Sequence, residues 1–214
     1  MNSEEQQGNL IIVSGPSGAG KSALAVAVLS ALPGLNFSIS YTTRAPRGNE
    51  RNGIEYHFVA KAEFEALIQS GDLLEWAQVY GNYYGTGWKF IDAKLQLGED
   101  VMLDVDVQGA RTIRAKRPDA ISIFILPPSF QVLRTRLANR KLDKDYVIEN
   151  RLRIARQEIV QYRDYEYLII NDDFRNSVEE LKAIIVGSRC RMMSRSGLAG
   201  SIVATFGGLD AEST

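Results

Sequence analysis

Leu10-Ile11-Ile12-Val13-Ser14 followed by Gly15-Pro16-Ser17-Gly18-Ala19-Gly20-Lys21-Ser22 is the stretch on which the reading of this chain turns. The first five residues form a short, β-branched apolar run, the next eight match GxxxxGK[ST], and Ala23 to Leu32 continues in helix formers. A glycine-rich turn alone is only a turn, but one that ends in Lys-Ser and stands in register between a strand and a helix is a phosphate loop. Its glycines let successive backbone N–H groups point inward at the positive end of a helix, where an anion meets several donors. On this reading Gly15, Pro16, Ser17, Gly18, Ala19 and Gly20 cradle the phosphates of a nucleotide, Lys21 reaches the β- and γ-phosphates, and the Ser22 hydroxyl ligates Mg²⁺.

The 214 residues, 45% of them apolar, are enough for one substantial core and few for two independent domains. A formal net charge of −1 excludes a general nucleic-acid binder, which needs a basic field. Cys190 is the single cysteine, the start Met1-Asn2-Ser3-Glu4-Glu5 is acidic where a leader is basic, and no apolar run reaches the length of a membrane span. The expectation is a cytoplasmic protein that engages no membrane.

Outward from the loop, β-rich runs alternate with amphipathic ones, the pattern of a parallel sheet covered by helices. Strands are predicted at Leu10–Ser14, Val101–Asp104, Ala120–Leu126 and Tyr167–Ile170. Helices are predicted at 21–32, 107–116, 129–139, 145–162 and from Ser177 to about Arg189, with Ser129 as an N-cap and Pro33-Gly34 as a stop. Between 36 and 90 the rhythm changes to strands at 36–41, 55–59 and 73–80 with one short helix at 61–70, which reads as an inserted β-rich subdomain. From Ser194 to Thr214 the chain is small and weakly polar, and a loosely ordered tail is expected.

The second site lies in that insertion. Arg44 and Arg47, on a proline-stiffened turn, suit bidentate capture of a phosphate, and Tyr56 and Tyr84 add phenolic donors. In order behind the loop stand Ser40-Tyr41-Thr42-Thr43-Arg44-Ala45-Pro46-Arg47, Asn52-Gly53-Ile54-Glu55-Tyr56, Leu74-Glu75-Trp76-Ala77, Gly81-Asn82-Tyr83-Tyr84-Gly85 and Leu103-Asp104-Val105-Asp106-Val107-Gln108-Gly109. Over roughly residues 9–190 the chain closely resembles the guanylate kinases.

That resemblance implies an α/β fold of the P-loop NTPase type, three-layered, with a five-stranded parallel sheet. It divides residues 9–190 into a core (9–37, 91–132 and 160–190), a GMP-binding subdomain (38–90) and a helical lid (133–159), and leaves 191–214 as the tail. It implies Mg²⁺-dependent transfer of the ATP γ-phosphoryl group to GMP or dGMP. Arg44, Arg47, Tyr56 and Tyr84 then match ligands of the GMP phosphate, and Ser40, Glu75 and Thr86 match contacts of guanine. The chemistry agrees, since guanine offers adjacent N1–H and N2–H₂ donors that one carboxylate accepts together. Asp104 would orient Mg²⁺ through water, and Asp106 would hold the acceptor. Arg136, Arg140 and Arg151, in a basic run from Arg134 to Arg156, match lid arginines that close over ATP; Asn171 matches a position near the adenine ring. The turn at Lys141-Leu142-Asp143-Lys144 departs from the family's glycine-rich pattern.

His57 is the only histidine and reads as structural, because one histidine builds no zinc site. The rival readings are a sugar-phosphate kinase of the same architecture, a non-catalytic interaction module on the same fold, and a regulatory ATPase. Glu75 and Thr86 oppose the first, the intact Lys21-Ser22 the second, and the set Arg44, Arg47, Tyr56 and Tyr84 the third.

Overall fold

The computed structural model describes residues 7–79, 81–139 and 145–206. The chain runs β1 (Leu10–Ser14), α1 (Lys21–Ala31), β2 (Leu35–Phe37), β3 (Tyr41–Thr42) and β4 (His57–Phe58). It continues through α2 (Lys61–Gln69), β5 (Leu73–Val79), β6 (Asn82–Gly87), α3 (Trp88–Gln96), β7 (Asp100–Asp104) and α4 (Val107–Lys116). After β8 (Ile121–Leu126) come α5 (Phe130–Ala138), α6 (Asp145–Ile159), a 3-10 turn at Val160–Asp164, β9 (Tyr167–Ile170), α7 (Phe174–Ser188) and α8 (Met192–Thr205).

Five strands make one parallel sheet in the order β2-β7-β1-β8-β9. Parallel strands covered on both faces read as unbroken apolar runs, and every residue of β1 is buried. Alternation along β1 sends Ile11 and Val13 to one face, against Leu24 and Val28 of α1 and Leu181 and Ile185 of α7. Leu10 and Ile12 go to the other, against Ile91 and Leu95 of α3 and Ala110 and Ile113 of α4. Burying each such aliphatic chain contributes about 1.5–3 kcal/mol, so the two faces hold the sheet without help from polar pairs. One buried carboxylate sits at the opposite end from the loop: Asp100 accepts from Asn9 N–H at 2.8 Å and from Arg189 Nε at 2.7 Å, which pins the end of α7 beneath the sheet.

The strand order reverses at β1, whose neighbours β7 and β8 lead to opposite halves of the sheet. Such a switch point leaves a crevice at the carboxyl ends of the strands, where ligands bind in open α/β sheets. Residues 15–22, Asp104, Asp106 and Asn171 all follow those strand ends.

A second, four-stranded sheet has the order β4-β3-β6-β5. Register assigns its faces. Tyr41 pairs with Gly85 and with His57, while Thr42 pairs with Tyr84 and Glu75 with Thr86. Tyr41, His57, Tyr83 and Gly85 therefore share the back face, on which α2 packs Phe64 against Tyr83 with ring centroids 5.2 Å apart. Thr42, Tyr84, Thr86 and Glu75 share the front.

The four core strands and the helices at 107–116 and 129–139 agree with expectation to within one residue at each end, and Ser129 Oγ does accept from Val132 N–H at 3.1 Å. The fifth core strand, β2, is cut from what the sequence presents as one strand over 36–41. β6 was hidden by its glycines: Gly85 is required because a Cβ there would lie 3.0 Å from Phe64 and from Trp76 Cβ. α3 has no capping side chain and buries only Ile91 and Leu95, a weak periodic signal. The expected loose tail is corrected over Met192–Thr205, which is helical and is tied down by Ser194 Oγ donating to Asn9 Oδ1 at 2.7 Å. Residues 207–214 lie outside the described residues.

Two glycine substitutions separate contact from conformation. Gly15 has φ +139 and its Cβ would stand 2.3 Å from the carbonyl oxygen of Ile125, so Gly15→Ala must displace β8. Gly53 has φ +77 with nothing within 4 Å, so Gly53→Ala meets only the left-handed penalty. Thermal melts should show Gly53→Ala costing about 1–2 kcal/mol and Gly15→Ala clearly more.

Candidate active site

The donor half is built from the loop and the ends of β7 and β9. Lys21 Nζ donates to Gly15 O at 2.7 Å and lies 3.9 Å from Asp104 Oδ1. Ser22 Oγ donates to Asp104 Oδ2 at 2.9 Å. One carboxylate thus faces both the lysine and the hydroxyl of the loop, a pairing of hard oxygen donors suited to Mg²⁺. Among the described residues no three His, Cys, Asp or Glu side chains group as a metal cage. Mg²⁺ in phosphoryl-transfer sites rests on one or two protein oxygens plus substrate phosphates, so the donor set fits that ion.

Asn171 sits differently from a surface adenine contact. It is 4% exposed, its Nδ2 donates to Ala19 O at 2.7 Å, and its own backbone oxygen accepts from Arg136 Nη2 at 2.9 Å. A Cβ on Gly20 would lie 2.2 Å from that amide. Asn171 therefore braces the loop from behind. Gly18 packs against Leu133 and Leu137 of α5, and Leu152 and Ala155 of α6 complete that small cluster. α5 so rests directly on the loop, and α6 packs against α5.

Of the basic run, Arg136 reaches the loop, Arg134 pairs with Glu149 at 3.2 Å, and Arg156 lies 4.5 Å over the ring of Phe130. Arg151 is half-buried on α6. Arg140 and the turn 141–144 lie outside the described residues. Glu158, on the inner side of α6, went unnoticed in the sequence. Burial raises its pKa, with Lys21 pulling it down and Asp106 pushing it up, which places its carboxyl in the field of the donor site.

The acceptor half lies on the front of the second sheet. Thr86 Oγ1 donates to Glu75 Oε1 at 2.7 Å, and Ser40 Oγ stands 3.4 Å from the same hydroxyl. Glu75 is 6% exposed, and burial lifts its pKa to about 7 against the opposing bond from Thr86; the charge of Asp106 adds to the rise. Gly109 makes room for it, because a Cβ there would lie 2.9 Å from Oε2. Asp106 is the N-cap of α4, accepting from Gly109 N–H at 2.7 Å.

Arg44 is held flat against Tyr56 and Phe58, 5.4 and 5.7 Å from their ring centres. Glu50, a residue the sequence reading passed over, takes Nη1 at 2.9 Å and Nη2 at 3.0 Å, while Ala45 O takes the other Nη1 hydrogen at 2.7 Å. Burial opposes the guanidinium charge, but Glu50 outweighs it and raises the pKa, and the Tyr84 hydroxyl acts in the same sense. Glu50 and Ala45 take three of the five N–H groups, and the remaining edge, toward the Tyr84 hydroxyl, is the one that can turn to a phosphate. Glu50 also accepts from Arg47 N–H at 2.8 Å, so it shapes the whole turn, on which the Arg47 side chain stands exposed. Tyr56 and Tyr84 meet edge to face at 6.0 Å. Burial raises the pKa of Tyr56, and the charge of Asp104 adds to the rise.

A phosphate loop faced across one cleft by a second anion site and a buried carboxylate defines a phosphotransferase with two phosphorylated substrates. The family model described as guanylate kinase matches residues 7–187. A guanylate kinase of Koribacter versatilis is 47% identical over 190 residues, 87% of this chain and 82% of that relative. One of Vibrio parahaemolyticus is 50% identical over 187 residues, 86% of this chain and 90% of the relative. The crystal structure of guanylate kinase from Anaplasma phagocytophilum superposes with a TM-score of 0.79 at 30% identity, covering 94% of this chain and 97% of that one. The chain belongs to the guanylate kinase family, nucleoside monophosphate kinases of the transferase class.

The burial of Glu75 has a stability signature. Its folded pKa, about 7, exceeds the ordinary 4.5, so between those values the folded state binds more protons than the unfolded one and stability falls as pH rises. The whole effect is on the order of 3 kcal/mol. Glu75→Gln, which carries no charge, should melt higher than the wild type at pH 8.5 and lose that advantage below about pH 4.5. A constant difference across that range would show that the carboxyl is not the source.

Proposed function

We propose that this chain transfers the γ-phosphoryl group of ATP to GMP, releasing ADP and GDP, with the acceptor chosen by Glu75. The observation that carries the proposal is the cluster Glu75, Thr86 and Ser40, a buried carboxylate with two hydroxyls beside it on the same sheet face as Tyr84. As a carboxylate, Glu75 accepts the N1–H and N2–H₂ of guanine together; adenine, with an acceptor at N1, leaves it unpaired. A site built for donors rejects an analogue that lacks them, because its buried acceptor goes unsatisfied.

The GMP phosphate is received by the remaining edge of Arg44 and by the hydroxyls of Tyr56 and Tyr84, with Arg47 closing from the turn. That fixes an acceptor oxygen in line with the γ-phosphorus of ATP. The new P–O bond forms as the bond to the β,γ-bridging oxygen breaks, and the electron pair leaves with ADP. Such a transfer asks the protein for alignment and charge neutralisation rather than covalent chemistry. Lys21 supplies charge at the β- and γ-phosphates, and Arg136 and Arg151 supply it from the lid. Ser22 would hold Mg²⁺ and Asp104 would orient it, and the ion would supply positive charge against that of the phosphates when bound. Asn171 acts as a brace of the loop in this scheme, and Asp106 orients α4 behind Glu75. The lid packs on the loop through Gly18, so its closure keeps water from the γ-phosphate.

In function the core, the second sheet and the α5–α6 pair are the donor frame, acceptor subdomain and lid. The deoxy acceptor dGMP carries the same base and phosphate and is a second substrate. No helix among the described residues is long and apolar enough to cross a membrane.

A coupled assay of ADP release with ATP, Mg²⁺ and a panel of GMP, dGMP, AMP, CMP, UMP and ribose 1,5-bisphosphate tests this reading. GMP should give the highest kcat/KM, and Lys21→Ala, folded, should lower kcat about a hundredfold or more. AMP or the sugar phosphate turning over as well as GMP contradicts it.

A further inference from the structure

A cavity of about 350 Å³ lies apart from the nucleotide cleft. It lies behind the second sheet, on the face opposite Tyr84 and Thr86, where Tyr41 and His57 form its wall with ring centroids 4.8 Å apart. Its other walls are the two chain segments that join this sheet to the core: Phe37 to Ile39, leaving β2, and Gly87 to Phe90, entering α3. Leu67 of α2 closes the side.

Three features mark it as more than clearance around a hinge. Its volume falls within the range of small-molecule sites, about 300–1,000 Å³. Ser38, 4% exposed, lines it and spends its backbone N–H on Met102 O at 3.0 Å, while its hydroxyl makes no hydrogen bond among the described residues. The sealed hydroxyls without a partner among the described residues are those of Ser14 and Tyr165; that of Ser38 is not one of them, and as part of the cavity lining it is free to bond a ligand there. The charges at the mouth cancel, since Lys89 Nζ pairs with Asp72 Oδ1 at 3.2 Å.

We propose that this cavity is a binding site for an uncharged, planar heteroaromatic molecule, which stacks among Phe37, Tyr41 and His57 and hydrogen-bonds Ser38. Aromatic walls fit a flat ring, and a neutralised mouth gives no attraction for an ion. An occupant touches both connections and the back of the sheet at once. It therefore ties the acceptor subdomain to the core and slows the motion that turnover needs, without entering the GMP site.

Benzimidazole, neutral near pH 7.5 with one donor and one acceptor nitrogen, serves as the probe. His57 is the only histidine, so its Cε1–H gives one unambiguous NMR signal. Titrated into the full chain with saturating GMP and ADP present, benzimidazole should shift that signal saturably. Ser38→Ala, which removes that hydroxyl, should weaken the binding about three- to tenfold. Leu67→Trp, which fills the cavity, should abolish it. In the kinase assay benzimidazole should lower kcat and leave KM for GMP unchanged. The binding readout does not depend on the proposed activity, so failure of one is distinguishable from failure of the other. No saturable shift, a shift displaced by GMP, or one unaltered in both variants overturns the site; a shift with no loss of kcat overturns the coupling.

Discussion

Keeping one carboxylate away from water is the constraint on which the acceptor half is arranged. Glu75 is buried on a strand, and an isolated charge there is expensive. Thr86 offsets part of that cost with a hydrogen bond, and Gly109 is a glycine because the carboxylate occupies the space a Cβ would take. The remaining cost appears as a pKa near neutrality. A ligand with two adjacent donors removes it. On the proposed reading the empty site is destabilised in the way that makes guanine the best partner, and selectivity comes from what a wrong base leaves unpaired.

The donor half follows from backbone rather than charge. Gly15, Gly18 and Gly20 touch a β8 carbonyl, the leucines of α5 and the amide of Asn171, with no room for a side chain at any of the three. The loop is consequently held by the core, α5 and the residue after β9 together. Arg136 already bonds the rim of this assembly, so a lid arginine and the phosphate cradle share one support. Donor and acceptor halves meet electrostatically through Asp104 and Asp106, whose charges are felt by Tyr56 and Glu75.

Much of this is written locally. β1, β7, β8 and β9 are legible because buried parallel strands are apolar without interruption, and the loop because its glycine spacing has one physical use. Ser40, Glu75, Thr86, Arg44, Tyr56 and Tyr84 were found through motif resemblance, and the fold brings them to one sheet face. What escaped depends on partners far along the chain. Glu50 looks like any turn carboxylate until Arg44 is seen folded back on it, and Glu158 like any exposed helix position until α6 is laid against α5. Gly85 and Gly87 make β6 read as a turn, since the sequence does not reveal that Phe64 and Tyr41 fill the missing side-chain space. Asn171 stands out in the sequence by its resemblance to a position near adenine, but its burial behind Ala19 is a tertiary fact.

The central claim is that guanine is selected by an ionised Glu75 whose pKa in the empty site is about 7. Calorimetric titration of GMP into wild type and Glu75→Gln at pH 7, in buffers of different ionisation enthalpy, reads the protons released on binding. With that pKa a share of the empty wild-type molecules carries the proton at pH 7, and guanine binding expels it, so the wild type should release more protons than the variant. Equal proton release from the two proteins would contradict the account.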